Sequence, residues 1–374
     1  MANPPRPPQP TDDQPDSIML QKFVGLKNVV DAERLGPDEL ERAVNIDLDD
    51  VGQIHRRRGQ TLKTSGNFGS LFTTEDGVVF ATKDGSLGII LSNFSFNAID
   101  SGYPTDPLAY VQVGPSLYFS SRTRAGVIDL KALTVSPWGS TPDIFFSPVV
   151  NPTATLPAIR GRLYGPPPLA TILGYFNGRI YMGTGCTVWA TELFLYNFVD
   201  KTKNFWNFEA DVTMIGVVTD GIYVGTKEGV WFISGPFAEA KRVRVMDTPC
   251  IAGSMTYVPG ELANPPQAGL DQDTKVQVSI LFLTEEGYCG GMDSGIAYNY
   301  TENKFVFPNV ASAVGAFRRQ QGVNQYLVMA NSGGTPAANA RIGDYVDAEL
   351  IRGGAWNTIR DCLKVSDAFV ADFS

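Results

Sequence analysis

The feature that most constrains the fold is a short phrase that recurs along the chain in variant form. Its clearest copy is residues 220–236, DGIYVGTKEGVWFISGP, where two runs rich in β-branched and aromatic residues flank a polar turn with glycine. This chemistry is typical of an antiparallel β-hairpin. Related phrases begin at Gly77, Pro115, Gly178 and Ser279. Such phrases, recurring every roughly 40 to 60 residues with four strands to each repeat, predict the blades of an all-β propeller.

The composition agrees with an all-β chain. The 374 residues are 43% hydrophobic and only 18% charged, and they include 38 glycines and 25 prolines, which suits a turn-rich sheet protein better than a helical one. A net charge of −9 argues against a general affinity for nucleic acid or for an anionic membrane. The sequence has no run of 18 apolar residues and no signal-peptide pattern, so we expect a soluble protein made in the cytoplasm.

Four regions are predicted along the chain. Residues 1–17 are rich in proline and lack an apolar cluster, so we expect an arm that is disordered or bound to a partner. Residues 18–64 form a leading segment that ends in a hairpin, and residues 65–342 form the blades. Residues 343–374 form a tail that packs on the propeller or on a neighbour.

Six blades are predicted, with five or seven as alternatives. We place their starts, each within four residues, near Ser65, Pro107, Pro168, Val212, Ile251 and Asn309. The sixth repeat supplies only two predicted strands, residues 313–318 and 325–330. Because a circular array must close or expose strand edges, we predict that the hairpin of residues 44–48 and 53–57 completes this last blade.

The inventory of reactive groups gives little support to catalysis. His55 is the one histidine, which nearly excludes a His-based triad or a His-rich metal site. The acidic pairs at residues 49–50, 75–76 and 285–286 lie beside turn glycines, so we interpret them as solvated hairpin corners. We therefore predict no catalytic residue, no cofactor and no metal ligand.

Cysteines and clustered aromatic residues are interpreted as parts of the core. Four cysteines without CxxC spacing are expected to be free buried thiols: Cys186, Cys250, Cys289 and Cys362. Seven aromatic side chains are assigned to the interior of the blades rather than to a binding surface: Phe145, Phe146, Phe194, Tyr196, Phe205, Trp206 and Phe208.

Residues 23–60 contain a distinctive pattern, in which a short phrase with glycine, leucine and asparagine leads to a proline and then to alternating polar residues. The residues that form it are Gly25, Leu26, Asn28, Pro37, Ala43, Asn45, Asp47, Asp49, Gly52, Arg56, Arg58 and Gly59. The run of three arginines at residues 56–58 belongs to it, and by itself this run indicates either a charged sheet edge or a contact with an acidic partner or with DNA. In this pattern, residues 23–60 resemble the segment that leads into the propeller of virion proteins from tailed bacteriophages. The phrase YVDAEL at Tyr345 also has a phage-like form.

This resemblance implies a structural protein of the virion tail that is made in the host cytoplasm. The related propellers are nozzle or DNA-retention proteins at the head–tail connection of short-tailed phages, or tail-tip components of long-tailed ones. It implies other phage tail proteins as partners, transient passage of DNA and no membrane insertion.

We also predict a homo-oligomeric ring, six-fold as a first guess, with three-fold or twelve-fold symmetry as alternatives. The arm, the loop of residues 138–168 and the tail add entropy that must be offset when they order, so they make most sense as connectors between subunits. A tail built on a rotational axis closes such contacts into a ring. The rival hypotheses are a propeller enzyme or an adhesin that acts on host surface carbohydrate. The candidate interface residues are Pro4, Pro7, Arg56, Arg58, Phe145, Phe146 and Tyr345.

Overall fold

A computed structural model of the chain describes residues 25–40, 46–48, 54–56, 63–103, 106–139, 164–258, 278–302, 306–307, 310–320 and 323–331. Within these ranges the fold is all-β. The strands are accompanied by 3-10 turns at Ala32–Arg34, Phe237–Glu239 and Asp293–Gly295.

Two small sheets precede the repeats. In the first, β1 (Gly25–Leu26) and β2 (Glu39–Leu40) run parallel. In the second, β3 (Ile46–Leu48) and β4 (Ile54–Arg56) run antiparallel. The hairpin predicted at the end of the leading segment is therefore present.

Five four-stranded antiparallel meanders follow, and we call them sheets 1 to 5. Sheet 1 comprises β5 (Phe68–Thr73), β6 (Val79–Lys83), β7 (Ser86–Ile90) and β8 (Phe96–Ser101). Sheet 2 comprises β9 (Ala109–Val113), β10 (Ser116–Ser120), β11 (Ala125–Asp129) and β12 (Thr134–Pro137). Sheet 3 comprises β14 (Ile172–Phe176), β15 (Arg179–Thr184), β16 (Thr187–Ala190) and β18 (Phe205–Asn207), and beside it β13 (Tyr164–Gly165) pairs with β17 (Val199–Asp200).

The later sheets continue the pattern. Sheet 4 comprises β19 (Val212–Val218), β20 (Gly221–Thr226), β21 (Val230–Ser234) and β22 (Lys241–Met246). Sheet 5 comprises β23 (Thr256–Tyr257), β24 (Val278–Thr284), β25 (Gly287–Met292) and β26 (Ala297–Asn299). Sheet 6 contains two strands among the described residues, β27 (Ser312–Gln320) and β28 (Val323–Asn331).

The six sheets stand around one central cavity, and the first strand of each contributes to its wall. This radial arrangement of meanders is a β-propeller, as the repeats predicted. The predicted starts lie within four residues of the observed ones except at sheet 5, which begins at Thr256, five residues after Ile251. The number of blades stays a prediction, because sheet 6 has only two described strands.

The core lies between neighbouring sheets rather than within any one of them. Phe80 of sheet 1 shares a buried cluster with Phe119 of sheet 2, and Tyr118 of sheet 2 shares one with Met182 of sheet 3. Comparable clusters join sheets 3 and 4, 4 and 5, and 5 and 6. Each fully buried aromatic or aliphatic side chain contributes roughly 1.5–3 kcal/mol, so the blades hold one another in place.

A hydroxyl group at the end of the second strand explains the recurring phrase. In sheet 4 the buried Thr226 Oγ1 accepts hydrogen bonds from the N–H groups of Glu228 (3.2 Å) and Gly229 (3.1 Å) and donates one to the Gly229 carbonyl (2.9 Å). Ser121 Oγ, at the same place in sheet 2, accepts from the N–H of Arg124 and donates to its carbonyl, both at 3.1 Å. The hydroxyl satisfies backbone groups that the tight turn would otherwise leave buried without partners.

Residues 37–39, Pro-Asp-Glu, have the sequence pattern that opens a helical turn, with proline first and acids after it. This prediction is wrong: Pro37 and Asp38 form a turn into β2, and the 3-10 turn lies earlier, at Ala32–Arg34. Among the described residues β3 and β4 pair only with each other. The residues that flank this hairpin and those after Asn331 lie outside the described ranges, so the closure of the last blade stays a prediction.

Asn28 provides a different link between the leading segment and the end of the repeats. Its Nδ2 donates to the carbonyl of Val306 and its Oδ1 accepts from the N–H of Val306, both at 2.9 Å. A side-chain amide that pairs with both backbone groups of one residue imitates a step of a β-ladder. The contact spans 278 positions of sequence and lies just before sheet 6.

We expect Thr226→Val to destabilise the propeller by about 1–3 kcal/mol, because it leaves the buried N–H of Gly229 without an acceptor and removes the acceptor of the half-buried N–H of Glu228. Thermal unfolding followed by circular dichroism measures the effect. Thr134→Val, an exposed threonine of β12, is the matched control and should change stability by less than about 0.5 kcal/mol. Equal melting temperatures for the two variants would show that the turn hydroxyl is dispensable.

We expect Asn28→Ala to release the leading segment without unfolding the blades. Amide exchange in residues 27–40 should become at least about tenfold faster, which corresponds to the roughly 1 kcal/mol that one net hydrogen bond contributes. Hydrogen exchange read by mass spectrometry tests this. Asn97→Ala, an exposed position of β8, should leave these rates unchanged. Unaltered exchange in Asn28→Ala would mean that other contacts hold the segment.

Candidate functional site

The candidate site is the central cavity, which has a volume of about 2350 Å³. Its wall is built from the first strands of all six sheets, so β5, β9, β14, β19, β23 and β27 converge on it. The wall is mixed: Leu173 and Ile215 present apolar surface, while Ser70 and Thr171 supply hydroxyl groups.

Glycine in the first strands permits the close approach that the cavity wall requires. A Cβ atom on Gly174 of β14 would lie 2.8 Å from Cγ2 of Ile215 in β19. A Cβ atom on Gly216 of β19 would lie 2.7 Å from Cδ1 of Ile280 in β24. The side chain of one sheet thus fills the space left by a missing side chain in the previous one.

The two ends of the ring differ in chemistry, and we name them by their loops. The connection face carries the links between sheets and the turns between second and third strands. The turn face carries the turns between first and second strands and those between third and fourth strands. The charged residues that line the cavity all lie on the connection face: Asp84, Asp106, Arg122, Asp211 and Lys227.

These five charged side chains surround the opening of the cavity on the connection face, which we call the cavity mouth. The other lining residues are uncharged. Lys227 Nζ lies 2.6 Å from Asp211 Oδ2, but both side chains are more than half exposed, so the pair contributes little to stability. Three acids against two bases leave the mouth slightly negative. Such a mouth disfavours polyanions and strongly anionic ligands.

Arg124, also on the connection face, clamps sheet 1 to sheet 2. Its guanidinium Nη2 lies 2.6 Å from Asp100 Oδ2, its Nη1 donates to the Ser101 carbonyl at 2.9 Å, and its plane lies over the ring of Tyr103. Burial opposes ionisation of Asp100, but the Tyr103 hydroxyl, the Ser101 N–H and Arg124 outweigh it and lower the pKa of that carboxyl. Nothing in the sequence pattern marked this clamp.

Acidic residues join the turn faces of sheets 4 and 5 in a reciprocal way. The N–H of Thr219 donates to Asp293 Oδ1 at 3.0 Å, and the N–H of Ser294 donates to Asp220 Oδ2 at 2.9 Å. Residues 291–295, which read GMDSG, therefore form a structural turn. The acids at residues 75–76 and 285–286 lie exposed in turns, as predicted, and the pair at 49–50 lies outside the described residues.

The prediction that the cysteines are free and buried is confirmed only in part. Cys250 and Cys289 are free and buried, and burial raises the pKa of each thiol to about 12. Both thiols stay neutral at physiological pH and behave as small apolar groups. Cys186 is exposed in the turn between β15 and β16, so its predicted burial is wrong, and Cys362 lies outside the described residues.

The aromatic predictions have one clear exception. Trp206 stacks on Tyr181 and on Phe237, with ring centroids 5.4 and 4.5 Å apart, and is buried as predicted. Phe194 is instead 67% exposed on the turn face, with a φ of +58° that a bulky side chain seldom adopts. Nothing in the sequence of residues 193–196, LFLY, predicts this exposure.

The turn face gathers exposed apolar side chains. Five of the nine large exposed hydrophobic residues in the described part of the chain lie there: Val78, Leu91, Leu193, Phe194 and Ile296. They belong to sheets 1, 3 and 5. The turn face is therefore the more apolar end of the ring.

The predicted interface residues lie almost wholly outside the described part of the chain. Arg56 ends β4, and its side chain is not described. The remaining six lie outside the described residues, so the interface stays a prediction: Pro4, Pro7, Arg58, Phe145, Phe146 and Tyr345.

The described residues contain neither a metal-binding cluster nor a membrane-spanning helix. No group of three or more His, Cys, Asp or Glu side chains is arranged to hold a metal ion. No helix in these ranges is long and apolar enough to cross a membrane.

Comparison with known proteins adds no functional assignment. No known family model and no curated protein match the sequence. Similar solved structures include an extracellular domain of a one-component system from B. thetaiotaomicron, with 11% identity, a TM-score of 0.41, and coverage of 78% of this chain and 34% of that one. This chain thus spans about a third of that protein.

Two further solved structures are similar at the same low level. The N-terminal domain of Nup159 has 9% identity and a TM-score of 0.39, with 70% of this chain and 72% of that chain covered. The WD40 domain of Neurospora crassa Pan2 has 11% identity and a TM-score of 0.40, with 75% and 76% covered. The class of protein is therefore a β-propeller, defined by its own sheet topology.

We expect Arg124→Gln to lower stability by about 1 kcal/mol at pH 7, since a half-exposed ion pair contributes at most that much. A carboxyl whose folded pKa is depressed stabilises above its unfolded pKa of about 4 and loses this contribution as pH falls through the folded pKa. The gap between wild type and variant should thus narrow from pH 5 to pH 2. Melting temperatures over this range test it.

Arg122→Gln is the control for this clamp, because Arg122 lies exposed in the same turn. This substitution should change the melting temperature little at any pH. A gap for Arg124→Gln that is constant from pH 7 to pH 2 would show that Asp100 does not supply the stabilisation.

Proposed function

We propose that the chain is a structural protein of a tailed-bacteriophage virion, assembled as a homo-oligomeric ring of the tail nozzle or tail tip that guides or retains DNA. The observation that carries the proposal is the contact between Asn28 and Val306. Asn28 is one of the residues on which the phage resemblance rests, and its amide ties the leading segment to the last repeats. A residue shared with the phage segments thus has a definite structural task in this chain.

The electrostatics support a role beside DNA rather than a role in binding it. The chain carries a net charge of −9, and the cavity mouth has three acids against two bases. Because affinity for DNA rises with each phosphate that a cationic group neutralises, an acidic wall lets a duplex pass without holding it. The proposal concerns passage and retention by a ring of such propellers, not by the cavity of a single one.

The architecture supports a scaffold whose rigidity needs no ligand. Clusters of buried side chains lock each sheet to the next, and the turns are satisfied by their own hydroxyl groups. The arm of residues 1–17, the loop around Phe145 and Phe146 and the residues after Gly343 would then serve as connectors to neighbouring subunits. Segments that order only on assembly suit a part that joins a growing particle.

Purified virions provide the test. We expect the chain to be present in several copies per particle, and a cryo-EM map of the tail to place its propellers in a closed ring on the tail axis. Particles made by a phage that lacks the gene should fail to retain DNA or to complete the tail, and supplying the gene in trans should restore them. Absence of the chain from purified infectious virions would overturn the proposal.

A carbohydrate-binding adhesin is the second candidate, and the exposed apolar turn face favours it. Glycans bind to exposed aromatic rings, and Phe194 presents one. Phe194→Ala should abolish adsorption to host cells if the adhesin hypothesis is right, and should leave adsorption unchanged if the ring hypothesis is right. Hydrolysis of host polysaccharide that is lost on a single carboxylate substitution would favour an enzyme instead.

A further inference from the structure

The outer strand of sheet 4 is unlike the other outer strands. It carries Lys241, Arg242 and Arg244 within four consecutive positions, on a chain whose net charge is −9. Among the six numbered sheets, the last described strands of the other five contain no lysine or arginine: β8, β12, β18, β26 and β28. Within the described residues β22 pairs on one side only, so its row of positive charge lies along a sheet edge.

The side chains of β22 divide into two sides. In residues 241–244 the alternation of a strand places Arg242 and Arg244 on one side and Val243 on the other. Val243 is 42% exposed, which leaves an apolar spot on that edge. The edge thus offers two guanidinium groups on one side and an apolar contact on the other.

Within the described residues the two arginines have a single carboxylate partner between them. Arg242 donates from Nη1 to the Asn207 carbonyl at 3.2 Å, and among these residues its guanidinium has no carboxylate partner. Arg244 donates from Nη2 to the Glu228 carbonyl at 2.6 Å, and its guanidinium lies over the ring of Trp231. Its Nε lies 2.8 Å from Asp247, whose side chain is 88% exposed, so that ion pair is weak. Each guanidinium keeps N–H groups that can donate to an additional carboxylate.

One segment of the same chain matches this edge. Residues 344–350 read DYVDAEL, which places Asp347 and Glu349 at alternate positions and Val346, Ala348 and Leu350 at the positions between them. The segment has no proline, so every residue could donate to a ladder. The acidic stretch at residues 11–16 is interrupted by prolines on both sides and lacks this alternation.

We propose that residues 344–350 bind in cis to β22 as a fifth strand of sheet 4, with Asp347 and Glu349 against Arg242 and Arg244 and the apolar side chains over Val243. Opposite charges on facing strands stabilise such a pairing, and main-chain hydrogen bonds along the edge supply its affinity. The edge of β28 is longer but carries no charged side chain, so it has no cationic group with which these acids could pair.

A long tether joins the acidic segment to the end of sheet 6. Residues 332–343 separate Asn331, at the end of β28, from the acidic segment, and fully extended they span up to about 45 Å. A tethered segment binds at an effective concentration in the millimolar range, well above that of a neighbouring copy in dilute solution. Since one chain supplies both strands, the inference does not depend on the ring proposed above. It assigns residues 344–350 to their own propeller and leaves residues 351–374 as the part of the tail that connects neighbouring subunits.

Hydrogen exchange on the full chain at micromolar concentration tests the inference. We expect the amides of residues 345–350 to exchange at least about tenfold more slowly than in a synthetic peptide of residues 341–353. Asp347→Arg with Glu349→Arg should return them to the peptide rate. Adding Arg242→Glu and Arg244→Glu to that variant should restore the slow exchange, because the charges are then complementary again.

Two controls separate this effect from general damage. Arg122→Glu with Lys131→Glu reverses two exposed side chains in the turns of sheet 2 and should leave the protection of residues 345–350 intact. The amides of β20 report on the fold, and the tail substitutions alone should leave them unchanged. If the arginine variants fail to fold, the tail variant remains decisive.

Three results would overturn the inference. In the first, residues 345–350 of the wild-type chain exchange as fast as the free peptide. In the second, they are protected but the charge reversal in the tail has no effect. In the third, protection appears only at high protein concentration, which would make a neighbouring copy the occupant of the segment or of the edge.

Discussion

Close packing between adjacent sheets is the constraint on which the rest of this propeller depends. The first strands converge on one cavity, and where they converge there is no room for a side chain on both partners. The side chain of Ile215 occupies the space beside Gly174, and the side chain of Ile280 occupies the space beside Gly216. Behind these contacts the buried clusters are shared between neighbours, so that a sheet has its full core only beside the next one.

The turns follow from that packing. The corners of each sheet carry backbone N–H and carbonyl groups that the strand ladders leave unpaired. Thr226 and Ser121 solve this within the chain by placing a hydroxyl group beneath the turn. Asp220 and Asp293 solve it between sheets by accepting hydrogen bonds from each other's turns. The corners are thereby fixed, and the two faces are free to differ in chemistry.

That difference and the ends of the chain are where the proposals above place the function of this molecule. Among the described residues the connection face is polar and carries the charges of the cavity mouth, whereas the turn face carries most of the exposed apolar side chains. The Asn28 amide ties the leading segment to the last repeats, and β22 carries the basic edge to which we propose that residues 344–350 bind. The proposal of a structural protein rests on these attachment points and on the rigid packing between them.

The sequence by itself determined the strands, their order and the propeller. Alternation and turn chemistry act between residues that are near in the chain, so the hairpin of residues 220–236 was predicted correctly and forms β20 and β21 of sheet 4. Only the tertiary structure decided which surfaces are exposed and which distant groups meet. The pairing of Asn28 with Val306 joins residues 278 positions apart, and the Arg124 clamp depends on how two sheets are placed. The exposure of Cys186 and Phe194 was likewise decided by what packs beside them, because local sequence chemistry shapes the backbone while burial depends on the neighbours that the whole fold supplies.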